Sequence, residues 1–269
     1  MSATGEPQDA LSTTTNAFLD YLRDVRRLSP HTLAAYRRDL QSLADWCQRR
    51  GHHTPHNLSD VNIRGWVGHL RQRGLSGGSI QRALSAARTW LGFLVRQGEL
   101  EHNPATTVRA PRTPRKLPRA LDVDQTASLL ESGGDDGPLS LRDHAMAELF
   151  YSCGLRLAEL VAANIEDYDR AAALITVTGK GNKTRTLPVG SVAAAALQQW
   201  LTLRPPAAEE REGAHPLFTS GRGRRIGQRS VQSRLRLLGH RAGLPRNVHP
   251  HMLRHSFASH LLESSGDLR

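Results

Sequence analysis

Apolar residues recur at helical spacing over most of this chain. From Thr14, the positions Phe18, Leu19, Tyr21, Leu22, Val25 and Leu28 mark a first helix. Ser29-Pro30 then restarts the chain, with Ser29 as N-cap and proline in the first turn. Leu33, Tyr36, Leu40, Leu43 and Trp46 carry this second helix, which ends near Gly51. A third begins around Ser59-Asp60, with Val61, Ile63, Trp66, Val67 and Leu70 expected inward, and a fourth follows Gly77-Gly78 with Ile80, Leu84, Ala87, Leu91 and Leu94 on one face. Short connections between them predict a compact four-helix domain over residues 14–101, preceded by a polar, flexible N-terminus over 1–13.

The pattern breaks over residues 102–119, His-Asn-Pro-Ala-Thr-Thr-Val-Arg-Ala-Pro-Arg-Thr-Pro-Arg-Lys-Leu-Pro-Arg, where prolines and cations allow neither a helix nor a central strand. This stretch reads as a basic linker that either lies along DNA or is a plain solvated tether. Beyond it, residues 122–130, 141–152 and 155–162 read as helices. Leu174-Ile175-Thr176-Val177-Thr178 and Thr184-Arg185-Thr186-Leu187-Pro188 read as two short strands joined by a turn from Gly179 to Lys183. Helical patterns return over 192–203, 230–242 and 251–262. The fold class expected is mainly α with a small β-sheet, in two domains, the second spanning 120–269.

Charge narrows the partner. With 36 Lys+Arg against 25 Asp+Glu and a formal net charge of +11, the chain is drawn to polyanions, and nucleic acid is the first partner to test. Arg37, Arg38, Arg64, Arg71, Arg82 and Arg88 fall between the apolar positions of the helical domain; as a set they suggest phosphate contacts, although each alone reads first as a solvated surface charge. The two cysteines, Cys47 and Cys153, sit in apolar helical patterns without metal-type spacing, which supports neither a disulfide framework nor a zinc cluster and suits a reducing cytoplasm. No window has the length and apolarity of a membrane span, so a cytoplasmic protein without a membrane partner is expected.

Four groups are suited to phosphoryl transfer: Arg156, Lys180, and His251 with Arg254. A phosphorane-like transition state gathers negative charge on its non-bridging oxygens, and the guanidinium forks of Arg156 and Arg254 can neutralise and orient it. Lys180, in the turn between the strands, can protonate the leaving alkoxide as general acid. His251 stands three residues before Arg254, so on a helix both reach one face, where the imidazole can accept a proton or bond the phosphate. The arrangement requires no metal and no cofactor.

Several segments together resemble the tyrosine site-specific recombinases, and among them the Xer branch. Ser29-Pro30-His31-Thr32 through Tyr36 and Asp39-Leu40 is similar to the family's core-binding motif. Arg142-Asp143 followed by Gly154-Leu155-Arg156-Leu157-Ala158-Glu159-Leu160 is similar to its first arginine box, and Gly179-Lys180-Gly181-Asn182-Lys183 with Arg185 to its lysine hairpin. His251-Met252-Leu253-Arg254-His255-Ser256-Phe257-Ala258 is similar to its second box. The resemblance implies a SAM-like core-binding domain and a catalytic domain that clamp double-stranded DNA at a specific site, and a tyrosine that forms a 3′-phosphotyrosyl link. It further implies a paralogous, XerD-like recombinase in a heterotetramer, a cell-division DNA translocase as a further partner, and resolution of chromosome dimers. Arg156, Lys180, His251 and Arg254 take the family's catalytic roles.

The family's second box is followed by a further His or Trp and then the nucleophilic Tyr; both are absent here, where the sequence ends at Gly266-Asp267-Leu268-Arg269. The catalytic domain is therefore expected to be incomplete, and Tyr21, Tyr36, Tyr151 and Tyr168 to serve packing. Rival readings are a phage or transposon integrase of the same chemistry, and a non-catalytic DNA-binding protein on the same scaffold. His249, His251, His255 and His260 lack the glutamate and third ligand of a zinc site, and Gly179-Lys180-Gly181 lacks the first glycine and the hydroxyl of a nucleotide loop. Gly221-Arg222-Gly223-Arg224-Arg225 reads as a phosphate contact or as a basic surface loop.

Overall fold

The computed structural model describes residues 10–111, 120–133, 137–179, 181–208, 210 and 213–265. Two compact units divide the chain, Met1–Arg115 and Lys116–Arg269, each with its own apolar core. Among the described residues no helix is long and apolar enough to cross a membrane.

The first unit holds α1 (Ala10–Asp24), α2 (Pro30–Gln48), α3 (Asp60–Gln72) and α4 (Gly77–Arg96). Serines start three of them: Ser29, Ser59 and Ser76 each accept a hydrogen bond from the backbone N–H three residues on, and Asn62 Oδ1 in turn accepts from Ser59 N at 2.8 Å. Phe18, Trp46, Trp66, Trp90, Leu84 and Leu91 fill the core, with the Phe18 and Phe93 ring centroids 5.5 Å apart.

Four details correct the expected pattern. Helix α1 starts at Ala10, before Thr14, because Leu11 extends the stripe of Thr15, Phe18 and Leu22 by one more turn and is buried. It stops at Asp24, leaving Val25 exposed. Val61 is also exposed, because the inward stripe of α3 runs through 63, 66, 67 and 70 and residue 61 falls off it. The tether does not begin at residue 102: Ala105 and Val108 belong to the core, and Arg88 donates to the carbonyls of both. Asn103 fastens the same segment, donating to Arg88 O at 2.9 Å and accepting from Ala105 N at 3.0 Å. Residues 112–119 of the expected linker lie outside the described residues.

Of the six arginines singled out in this unit, two have structural work. Arg82 forks onto the buried Asp39 at 2.9 and 3.0 Å, joining α4 to α2, and Arg88 holds the segment after α4. Arg64 pairs with Asp60 on the surface, and Arg37, Arg38 and Arg71 are exposed.

The second unit contains α5 (Val123–Glu131), α6 (Pro138–Cys153), α7 (Leu157–Ala162), β1 (Tyr168–Asp169), β2 (Leu174–Thr178), β3 (Thr184–Pro188), α8 (Ser191–Leu203), α9 (Gln228–Arg241) and α10 (Pro250–Ser265). The strands form an antiparallel sheet in the order β1-β2-β3, with Val177 opposite Arg185 and Thr178 opposite Thr184. Helix α6 runs through the core, packed by α8, α9 and α10, and is buried around most of its circumference. It carries a buried ion pair. Arg142 donates to Asp143 Oδ1 at 2.6 and 3.0 Å and to Thr219 O at 2.9 Å, while Asp143 Oδ2 accepts from Arg234 of α9.

Candidate active site

The site grows from the end of α6. Gly154 caps that helix in the left-handed region, with φ of 57°, and a Cβ built there would lie 2.5 Å from the Phe257 ring, so both conformation and space demand glycine. Its carbonyl accepts a hydrogen bond from Arg254 Nη1, tying the guanidinium of α10 to the turn that leads into Arg156. Helix α10 is held from its other side, where Ser256 Oγ donates to Met252 O at 3.0 Å and accepts from Leu121 N at 2.9 Å.

Arg156 is the N-cap of α7, and Glu159 three residues on reaches back to it. Glu159 Oε2 accepts from Arg156 N at 2.8 Å and Oε1 from Arg156 Nη1 at 2.8 Å. From β3, Arg185 adds Nη1 to Oε1 at 2.8 Å and Nη2 to Oε2 at 2.7 Å. The carboxylate is thus buried with both oxygens doubly bonded. Burial alone would push it up, but the bonds from Arg185 and from Arg156 outweigh that and hold it at about 2. Arg156 keeps Nη2 and Nε clear of Glu159, and its side chain stays 49% exposed, so the fork has an edge to offer a ligand.

Arg254 joins this cluster electrostatically. Its pKa is lowered, first by burial and then by the neighbouring charge of Arg156, with Arg185 acting the same way and Glu159 opposing. The hairpin turn also closes on it. A Cβ on Gly179 would lie 3.1 Å from Glu159 Oε1, 3.3 Å from Arg185 Nη1 and 3.5 Å from Arg156 Nη1, so the backbone preceding Lys180 approaches the guanidiniums as only glycine comfortably allows. Lys180 itself lies outside the described residues. His251 is exposed on α10, three residues before Arg254, with its ring edge-on to His249 at 6.4 Å. Burial lowers the His249 pKa, and His251 and His255 add to the effect.

The structure therefore brings Arg156 and Arg254 into one cluster, with His251 on the helix of Arg254. Glu159 and Arg185 lie inside the quoted motifs, where spacing assigns neither of them a role. The signals were available: a glutamate at the third position of a helix opened by Arg156, and an arginine on the core-facing parity of β3. The basic run before α9 divides in two. Arg225 Nη1 donates to the carbonyls of Val161, Ala162 and Ala163 at 2.9 to 3.1 Å, closing the C-terminal end of α7, while Arg222 and Arg224 are exposed.

None of the four tyrosines joins this cluster by a hydrogen bond. Tyr21 packs on Phe93 at 5.1 Å and Tyr36 on Phe18 at 6.5 Å, Tyr168 is buried in β1, and the Tyr151 hydroxyl meets His260 Nδ1 at 3.1 Å.

Residues 119–269 match the phage integrase family, and residues 15–98 match the phage integrase N-terminal SAM-like domain. The chain belongs to the phage integrase family, the tyrosine recombinases. Within it the chain is XerC-like: it is 47% identical over 254 residues to tyrosine recombinase XerC of Pseudomonas fluorescens, covering 94% of this chain and 84% of that protein. It is 46% identical over 268 residues to XerC of Xanthomonas campestris pv. campestris (strain B100), covering 100% of this chain and 81% of that protein. Two solved structures share the fold. The Tn1549 transposon integrase in complex with transposon right end DNA matches with a TM-score of 0.76 at 17% identity, over 94% of this chain and 87% of that one. A lambda integrase dimer bound to a COC′ core site matches with a TM-score of 0.71 at 16% identity, over 94% and 90%.

Proposed function

We propose that Arg156, Lys180, His251 and Arg254 form the phosphoryl-transfer site of a site-specific recombinase that resolves chromosome dimers together with an XerD-like paralogue, with a cell-division DNA translocase as a further partner. One observation carries the catalytic part of this reading. Arg156, with an exposed edge, and the half-buried Arg254 are fixed in one cluster beside Gly179, the residue before Lys180 in the sequence, which is what charge compensation at a single phosphate needs. In the forward step a tyrosine oxygen bonds to phosphorus as the bond to the 5′ oxygen breaks. Lys180 gives its proton to that leaving oxygen, and Arg156 and Arg254 hold the non-bridging oxygens. His251 bonds the same phosphate or exchanges the nucleophile's proton.

The tyrosines of this sequence are engaged in packing, and the nucleophile of the family follows its second box. A polypeptide of these 269 residues is accordingly expected to bind DNA without forming a covalent adduct, yet to retain the transfer site. A nicked duplex whose strand ends in a 3′-p-nitrophenyl phosphate tests this. Attack by an adjacent 5′-hydroxyl forms the P–O5′ bond, breaks the aryl P–O bond and releases nitrophenolate with its electron pair, while the hydroxyl proton passes to a base. Joining above background, together with no protein–DNA adduct on a denaturing gel from a suicide substrate, is the expected result. A stable adduct would contradict the tyrosine assignment, and binding without joining would favour a non-catalytic DNA-binding protein on this scaffold.

A further inference from the structure

We infer that Arg185 is a positioning residue of this site: it locks the β2–β3 hairpin to α7 through Glu159 and does not itself hold the phosphate. The inference rests on the reading above. Strand parity is the first observation. Arg185 is paired with the buried Val177 and shares a face with Leu187, so a cation occupies an inward position where an aliphatic side chain would be ordinary. Such a placement is costly unless the charge is matched, and Glu159, itself buried, matches it.

Hydrogen-bond inventory is the second. Both terminal nitrogens of Arg185 donate to Glu159, one to each oxygen, whereas Arg156 donates there from its side chain through Nη1 alone and keeps the edge of Nη2 and Nε. The two guanidiniums on one carboxylate thus have different tasks: one faces outward and one braces. Because Arg185 belongs to β3, the same two bonds fix the height of the hairpin over α7, where a Cβ on Gly179 would meet all three side chains. Three guanidiniums and one carboxylate leave two net positive charges in the cluster, a fit to a doubly charged transition state.

The nitrophenyl-phosphate joining assay, run on the 269-residue chain at saturating DNA, separates bracing from direct contact. Arg185→Ala is expected to slow joining about 10- to 100-fold while its DNA Kd stays within about 2-fold, the signature of a lost interaction that matters in the transition state. Arg185→Lys keeps the charge but cannot span both oxygens, and should remain about 10-fold slow; it carries the test if the alanine variant does not fold. Paired with Glu159→Gln, the losses should be non-additive, the double variant being no slower than the slower single one. Multiplying losses, a weakened DNA Kd, or full activity in Arg185→Lys and Arg185→Ala would each overturn the inference. A wild-type chain that joins nothing removes the underlying reading and this inference with it, an outcome distinct from active wild type with unaffected variants.

Discussion

Arg254→Ala should slow strand joining by about 100- to 1,000-fold, the cost commonly found when one fixed donor is taken from a developing oxyanion. The size follows from how Arg254 is held. Its guanidinium is half-buried, bonded to the Gly154 carbonyl and set beside Arg156 and Arg185; burial first, and then those charges, lower its pKa. An arrangement that makes a cation less comfortable in the free protein is relieved when a phosphate arrives, and relieved further as negative charge builds on that phosphate. The same burial means that Arg254→Lys should recover little, because an ammonium cannot keep the bond to Gly154 and fork onto a phosphate at once. Joining rates at saturating DNA, with Kd measured in parallel, check the prediction; a fall confined to Kd would assign Arg254 to binding alone.

Asp143→Ala should cost about 3–5 kcal/mol of stability, the range for removing one partner of a buried ion pair. Asp143 lies within the core on α6 and receives both Arg142, itself buried, and Arg234 of α9. Without it the Arg142 guanidinium keeps only the Thr219 carbonyl, and the charge stays desolvated. Asp143→Asn preserves shape and one acceptor, so a smaller loss is expected. The urea unfolding midpoint reads the difference, and an alanine variant within about 1 kcal/mol of wild type would contradict the buried-pair account. The pair is distant in role from the chemistry: it fixes α6 to α9, and α6 ends on the glycine from which Arg156 and Arg254 are placed.

Much of this was legible in the sequence. Ser29, Ser59-Asp60 and the apolar stripes locate α2 and α3, the stripe after Gly77-Gly78 locates α4 without its cap Ser76, and residues 174–178 and 184–188 read as strands at the observed bounds of β2 and β3, because these signals are local. Signals that depend on a distant partner were not legible. Strand β1 is two residues long and exists only through pairing with β2. The proline-bearing stretch after α4 reads as tether from composition, but Arg88, many residues earlier, supplies the donors that pull it into the core.

The arginines show the same boundary. Sequence cannot separate Arg82, committed to Asp39, from Arg37 and Arg38, which are exposed, since all three lie on polar helix faces. In the site, motif spacing points to Arg156 and Arg254, while Arg185, part of the lysine-hairpin motif, has no role that spacing reveals, because its partner Glu159 lies on another element.

The central claim is that Arg156 and Arg254 act on one phosphate. A crystal structure of this chain on a duplex selected for tight binding would test it directly. The account predicts both guanidiniums at about 3 Å from non-bridging oxygens of the same phosphate, the hydrogen-bond distance for charged donors, with Arg185 still on Glu159. Guanidiniums on different phosphates, or facing away from the duplex, would contradict it.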